Sequence, residues 1–259
     1  MALKLLLKVV WEDNSLAVFD KPPGLVVTTS ETHQEPTLED ILVSQGSTLE
    51  RGGIVHRLDK DTSGLILVAK RSEVFENLQS QFKERTVSKQ YLALVHGRVE
   101  KGGRVEAPII RNPGDREKFV VVEGSGIEGR EAVTEYKPEK LLVMSDEILE
   151  KIFEGFTKIQ FKKLQTANYK LFTLLKCKPL TGRTHQIRVH LKYLGFPIVA
   201  DSKYGGRKTV RLDHRWCPRQ FLHASVLEFN HPQTGERIRL ESKLPEDLEK
   251  VLSCLEKVK

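Results

Sequence analysis

The chain has little that could staple a fold or hold a metal. Its three cysteines, Cys177, Cys217 and Cys254, are odd in number, far apart and free of any CxxC pair, which argues against a disulfide framework and a zinc site. No HxxH, HxxxH or HExxH spacing occurs, and His185 and His190, five apart, fall off a common helix face. There is no GxSxG, no P-loop and no GxGxxG after a strand, so acyl transfer, nucleotide hydrolysis and dinucleotide chemistry lack support. No apolar run approaches the roughly 18–20 residues that cross a bilayer. The N-terminal "MALKLLLKVVWEDNS" is too short for a span and lacks a small-residue cleavage site. The expected location is cytoplasmic, the cytosol or an equivalent reducing space.

What is present is charge. Forty-two Lys and Arg stand against thirty-five Asp and Glu, a net +7 over 259 residues. That balance favours a polyanionic partner wherever the cations gather, because neutralising phosphates releases condensed counterions. They gather in "VHRLDK", "RNPGDREKF", "TGRTHQIRVHLK" and "YGGRKTVRLDHRWCPRQ", at turns and element ends. A hydrophobic share of 39% is that of a globular chain.

No repeat or Pro/Ser-rich linker divides the chain, so residues 1–259 are expected to form a single domain. Two short apolar runs flank the turn-forming Asp13-Asn14-Ser15, and "KPPG" breaks the chain before "LVV". "TLEDILVSQG" predicts a helix with Thr37 as N-cap, and "SEVFENLQSQFKER" one with Phe75, Leu78 and Phe82 on one face. "LILVAK", "KQYLALVHGRV", "EAVTEYKP" and "YKLFTLLKCKPLTG" read as strands, and "QFLHASVLEFNHPQTGERIRLES" as a hairpin. "THQIRVHLKYLG" reads as a helix capped by Thr184 and stopped by Gly195, and "LPEDLEKVLSCLEK" as a closing helix. Strands in neighbouring pairs favour an α+β fold, a mixed, largely antiparallel sheet with flanking helices.

One stretch combines acid, cations and glycines: "GIVHRLDKDTSG", in which Asp59 and Asp61 sit among His56, Arg57 and Lys60 before an apolar strand. An Asp beside Arg is held ionised, and an ionised Asp can serve as nucleophile or base. In "TGRTHQIRVHLK", Arg183, His185 and Arg188 lie at a helix start, where free N–H groups and a positive partial charge already favour anions. A solvated basic helix face is the plainer reading of the same pattern.

"GIVHRLDKDTSGLILVAK" resembles the HRLDxxTSG catalytic motif of the RluA family of pseudouridine synthases. "VFDKPPGLVV", "KQYLALVHG", "PLTGRTHQIRVHLKYLGFPIVADSKYG" and "RQFLHA" are similar to further motifs of that family, in the same order, from about Val9 to Leu244. The resemblance implies the pseudouridine synthase fold, with its cleft across the sheet, and isomerisation of specific uridines in structured RNA without a metal or organic cofactor. Asp59 matches the catalytic aspartate, which attacks ribose or uracil carbon or abstracts a ribose proton. Arg188 matches the basic residue that pairs with this acid, and Tyr91 the tyrosine that packs against the target base. Asp61 falls at a variable position and reads as a turn residue. Leu222 is expected to line the pocket, and His56, Arg57, Arg183 and His185 to contact RNA around an everted uridine.

Two departures from the family pattern stand out. The small RNA-binding domain that many members carry ahead of the catalytic one is expected to be missing. Residues 140–168 insert where the family has a tight hairpin; Ile148, Ile152, Phe153 and Phe156 follow helical spacing, and Lys158, Lys162 and Lys163 suit either an RNA arm or padding. The expected partner is ribosomal RNA ahead of transfer RNA, and the expected state a monomer. The alternatives are a non-catalytic RNA-binding or assembly factor that kept the fold, and a hydrolase using Asp59 as nucleophile.

Overall fold

A computed structural model describes residues 7–28, 35–164 and 167–258. The strands are β1 (Lys8–Glu12), β2 (Leu16–Lys21), β3 (Ser63–Ala69), β4 (Ser88–His96), β5 (Gly103–Glu106), β6 (Ile109–Arg111), β7 (Phe119–Val121), β8 (Val133–Val143), β9 (Leu171–Pro179), β10 (Leu222–Asn230), β11 (Arg237–Glu241) and β12 (Glu256–Lys257). The helices are α1 (Leu38–Ser44), α2 (Ser72–Lys83), α3 (Asp146–Ile152), α4 (Lys158–Leu164), α5 (Ala167–Lys170), α6 (Gln186–Tyr193), α7 (Arg207–Asp213) and α8 (Glu246–Ser253). Two units divide them, one of Met1–Gln90 with His223–Lys243, the other of Tyr91–Leu222 with Leu244–Lys259.

In the first unit the Asp13 carboxylate accepts the N–H groups of Ser15 and Leu16 at 2.7 and 2.9 Å, which folds β1 back onto β2. β2 pairs antiparallel with β3, β3 parallel with β10, and β10 antiparallel with β11. Alternate residues share one face of a strand, so Leu16, Val18, Leu65, Leu67, Leu227 and Phe229 present one apolar surface. Val74, Phe75 and Leu78 of α2 cover it, as the spacing predicts, and Phe82 packs at its margin. Thr37 caps α1 through a reciprocal pair with Asp40.

Two glycines bound the acid-bearing stretch for steric reasons. Gly53 and Gly64 have φ of +88° and +113°, and a Cβ on either would collide with a backbone carbonyl oxygen, that of Ala69 or that of Ala224. Gly64 is thus what lets β3 approach β10.

In the second unit β9 lies between β4 and β8, all antiparallel, and β5 and β12 pair with β8. β6 and β7 form a separate ribbon. The helix expected to open at Thr184 opens later, at Gln186, with His185 as N-cap in the left-handed region (φ +56°). The reason is tertiary. Gln186 Oε1 accepts from the Thr181 hydroxyl (2.6 Å) and the Arg183 N–H (3.0 Å), while its Nε2 donates to the Val133 carbonyl (2.9 Å). His190 joins the same anchor: its Nε2 donates to the Ala107 carbonyl and its Nδ1 accepts the Thr134 hydroxyl. Gln186 to Leu191 are all buried, so α6 is a core helix and the solvated-face reading is corrected.

α7 replaces what the sequence showed only as a basic cluster. In the insertion, Phe153 is buried as expected, while Ile148, Ile152 and Phe156 are only half-buried and α3 buries Leu149 instead. Arg215 lies over the rings of Phe156 and Phe153. The expectation for Lys163 and for residues 165–166 falls outside the described side chains. Among the described residues no helix is long and apolar enough to cross a membrane.

Candidate active site

Asp59 lies in the loop that links a short bridge, Ile54 to Val68, with the start of β3. Its side chain is partly exposed, and its carbonyl accepts the Thr62 N–H at 3.1 Å, closing a turn over Lys60 and Asp61. Lys21, from "KPPG", holds that turn. It is fully buried, and its ammonium donates to the carbonyls of Pro22 (2.8 Å), Leu25 (2.8 Å) and Lys60 (2.9 Å). Behind the turn, buried Ser63 and His223 meet at 3.0 Å, while His223 Nε2 lies 3.2 Å from the Ser242 carbonyl. A carbonyl only accepts, so Nε2 carries the proton and Nδ1 takes the Ser63 hydroxyl. The backbone around Asp59 is therefore fixed on two sides, and the residue itself is half-buried. The Lys60 ammonium lies 3.6 Å from Glu35.

His56, expected to contact RNA, also serves the fold. Its Nε2 accepts the Leu67 N–H at 2.9 Å, so the ring serves as a hydrogen-bonding neighbour for β3, and it stacks on Phe82 at 4.9 Å. Burial, and secondarily Lys89, push its pKa down to about 3. The neutral Nδ1 is buried without a hydrogen-bond partner among the described residues. Arg57 next to it is exposed and makes no hydrogen bond or ion pair among the described residues.

The second unit contains Tyr91, Arg183, His185, Arg188 and Leu222. Tyr91 sits on β4 opposite Cys177 and is 8% exposed; Leu222 opens β10 and is buried. Arg183 donates through Nε to the Glu131 carbonyl at 2.9 Å. Arg188 grips Asp201 with two parallel hydrogen bonds of 2.8 Å, Nε to Oδ2 and Nη2 to Oδ1. The ring of Tyr204 lies 5.1 Å from the guanidinium carbon, and the Tyr204 hydroxyl meets His185 Nδ1 at 2.8 Å. The structure thus brings His185 and Arg188 together through Tyr204.

Lys21, Asp201 and Tyr204 are the residues that sequence reasoning missed. The signals were in quoted motifs, the Lys of "KPPG" and the Asp and Tyr of "ADSKYG", but which atoms each would meet is set by the fold. Among the described residues no group of three or more His, Cys, Asp or Glu is placed to hold a metal ion.

A family model for RNA pseudouridylate synthase matches residues 15–193. The chain belongs to that family. The ribosomal large subunit pseudouridine synthase D of Pseudomonas aeruginosa is 40% identical over 96% of this chain and 72% of its own length. An uncharacterized RNA pseudouridine synthase of Bacillus subtilis is 38% identical over 97% of this chain and 73% of its own. Among solved structures, the human RNA pseudouridylate synthase domain containing 1 superposes with a TM-score of 0.72 at 25% identity, covering 97% of this chain and 89% of that one. As an RNA pseudouridine synthase, the protein has the α+β architecture that the strand pattern predicts. The segment matched by the family model includes Lys21, Asp59, Tyr91 and Arg188 and stops short of Asp201 and Leu222.

Proposed function

We propose that this synthase isomerises uridine in large-subunit ribosomal RNA, as a cytoplasmic monomer, with Asp59 as its catalytic carboxylate. The observation that carries the substrate class is the 40% identity, across nearly the whole chain, to a relative named for the large ribosomal subunit. In the reaction the bond from uracil nitrogen to ribose breaks, the base turns, carbon 5 bonds to the sugar and gives up its proton to solvent, and the freed nitrogen takes up a proton from solvent. Every atom of the uridine except that exchanged proton is retained. Asp59 acts as nucleophile or base, Tyr91 packs against the base, Leu222 lines its pocket, and Arg188 supplies an oriented positive donor. Exposed Arg57, with Arg183 and His185, meets RNA phosphates.

What supports this reading is the setting of Asp59, a half-buried acid on a backbone that Lys21 and the Ser63–His223 pair keep still. The test is tritium release from carbon 5 of labelled uridine, with large-subunit ribosomal RNA and transfer RNA transcripts compared. Release from the ribosomal transcript supports the reading, and release from transfer RNA alone overturns the substrate class.

A further inference from the structure

We infer that Asp201 is a positioning residue for the reaction, fixing the plane and direction of the Arg188 guanidinium. The inference rests on the reading that Arg188 acts in the chemistry. Asp201 is fully buried, and its carboxylate accepts four hydrogen bonds. Two come from Arg188 at 2.8 Å, and two from the backbone N–H groups of Lys203 (3.0 Å) and Tyr204 (3.1 Å). A carboxylate held by two backbone groups cannot swing, and a planar fork gripped at two nitrogens cannot rotate against it. The Tyr204 ring adds a second restraint, and its own hydroxyl is fixed by the Phe119 N–H at 2.9 Å.

The backbone ahead of Asp201 is also specialised. Ala200 has φ +57°, a left-handed conformation that a residue with a Cβ adopts at a cost. Its N–H donates to Asp213 Oδ2 at 2.9 Å. Asp213 is itself fully buried, and the same oxygen takes His96 Nε2 at 2.9 Å while Oδ1 takes the Tyr169 hydroxyl at 3.3 Å. A second buried carboxylate thus maintains the strained residue that delivers the first. Buried ion pairs add little stability over apolar side chains of the same size, so the buried Arg188–Asp201 pair indicates orientation as its role. The pair is neutral as a whole, which makes Arg188 a directed donor more than a source of net field.

The test uses the full chain, a large-subunit ribosomal RNA transcript and single-turnover and steady-state tritium release. Asp201→Asn keeps the shape and an oxygen for the Lys203 and Tyr204 N–H groups but sets an amide N–H against one nitrogen of the guanidinium fork. We expect kcat to fall about tenfold to a hundredfold with KM nearly unchanged, the signature of lost alignment. In an Arg188→Lys background, which has no fork to orient, Asp201→Asn should add no further loss. Wild-type kcat in Asp201→Asn, or an equal loss in both backgrounds, overturns the inference. If Asp201→Asn does not fold, Arg188→Lys alone decides: it keeps the charge and loses the two-point grip, so full activity there overturns the inference and a comparable kcat loss supports it. Wild-type kcat in Arg188→Met would overturn the role of Arg188 as well, whereas an inactive Arg188→Met beside an active Asp201→Asn overturns this inference alone.

Discussion

Arg188 and Asp201 form a buried pair joined by two hydrogen bonds of 2.8 Å, with the Asp201 side chain wholly shielded from solvent. Removing one partner of such a pair strands the other charge. Arg188→Met should lose about 3–5 kcal/mol of stability, and Arg188→Met with Asp201→Leu should recover part of it. Urea unfolding of the three proteins checks this; equal stability of Arg188→Met and wild type would contradict it. Activity measurements on Arg188 variants need this control, because unfolding and lost chemistry both lower the rate.

Lys21 should behave as a clamp on the Asp59 turn. Lys21→Met leaves the carbonyls of Pro22, Leu25 and Lys60 without their shared donor, at roughly 1–3 kcal/mol for each buried group so orphaned. Its kcat should fall even where the variant remains folded, while Lys60→Met, which alters an exposed side chain, should keep nearly full activity. Parallel melting curves and tritium release separate the two effects. Equal kcat for Lys21→Met and wild type would refute the clamp.

His56 predicts an acid-sensitive fold. Its pKa lies near 3 in the native chain against an ordinary 6.5, because burial disfavours the charged ring. Between those values the unfolded chain takes up a proton that the folded chain refuses. Stability from this group is therefore complete above pH 6.5 and drains as pH falls toward 3, by up to about 1.4 kcal/mol per pH unit. His56→Gln should lack that slope, so the gap between wild type and variant should narrow from pH 7 to pH 4. Parallel stability curves would exclude the assignment.

RNA affinity should fall linearly with the logarithm of salt concentration, as counterion release requires. Arg57→Ala should weaken binding uniformly across RNA sequences and reduce the slope by about 1. Filter binding at several salt concentrations reads both quantities, and an unchanged slope would remove Arg57 from the docking surface.

Much of the fold was legible because it rests on local rules. The Asp13 turn, the Thr37 cap and the Phe75–Leu78 face are written within a few residues of where they act. Asp59 was legible for its company, an acid between cations at a strand mouth. The rest depends on partners the sequence does not place. The part His56 plays for β3 shows only once the Leu67 N–H, eleven residues on, is found against it. Thr184 looks like a cap until Gln186 is seen tied to β8. Asp201 and Lys21 acquire meaning only through Arg188 and the Lys60 carbonyl.

The most direct measurement is carbon-5 tritium release by Asp59→Asn, which exchanges one carboxylate oxygen for nitrogen and leaves shape and turn intact. Release should drop to background while RNA binding and melting temperature stay near wild type. Release at the wild-type rate would contradict Asp59 as the carboxylate that carries the reaction.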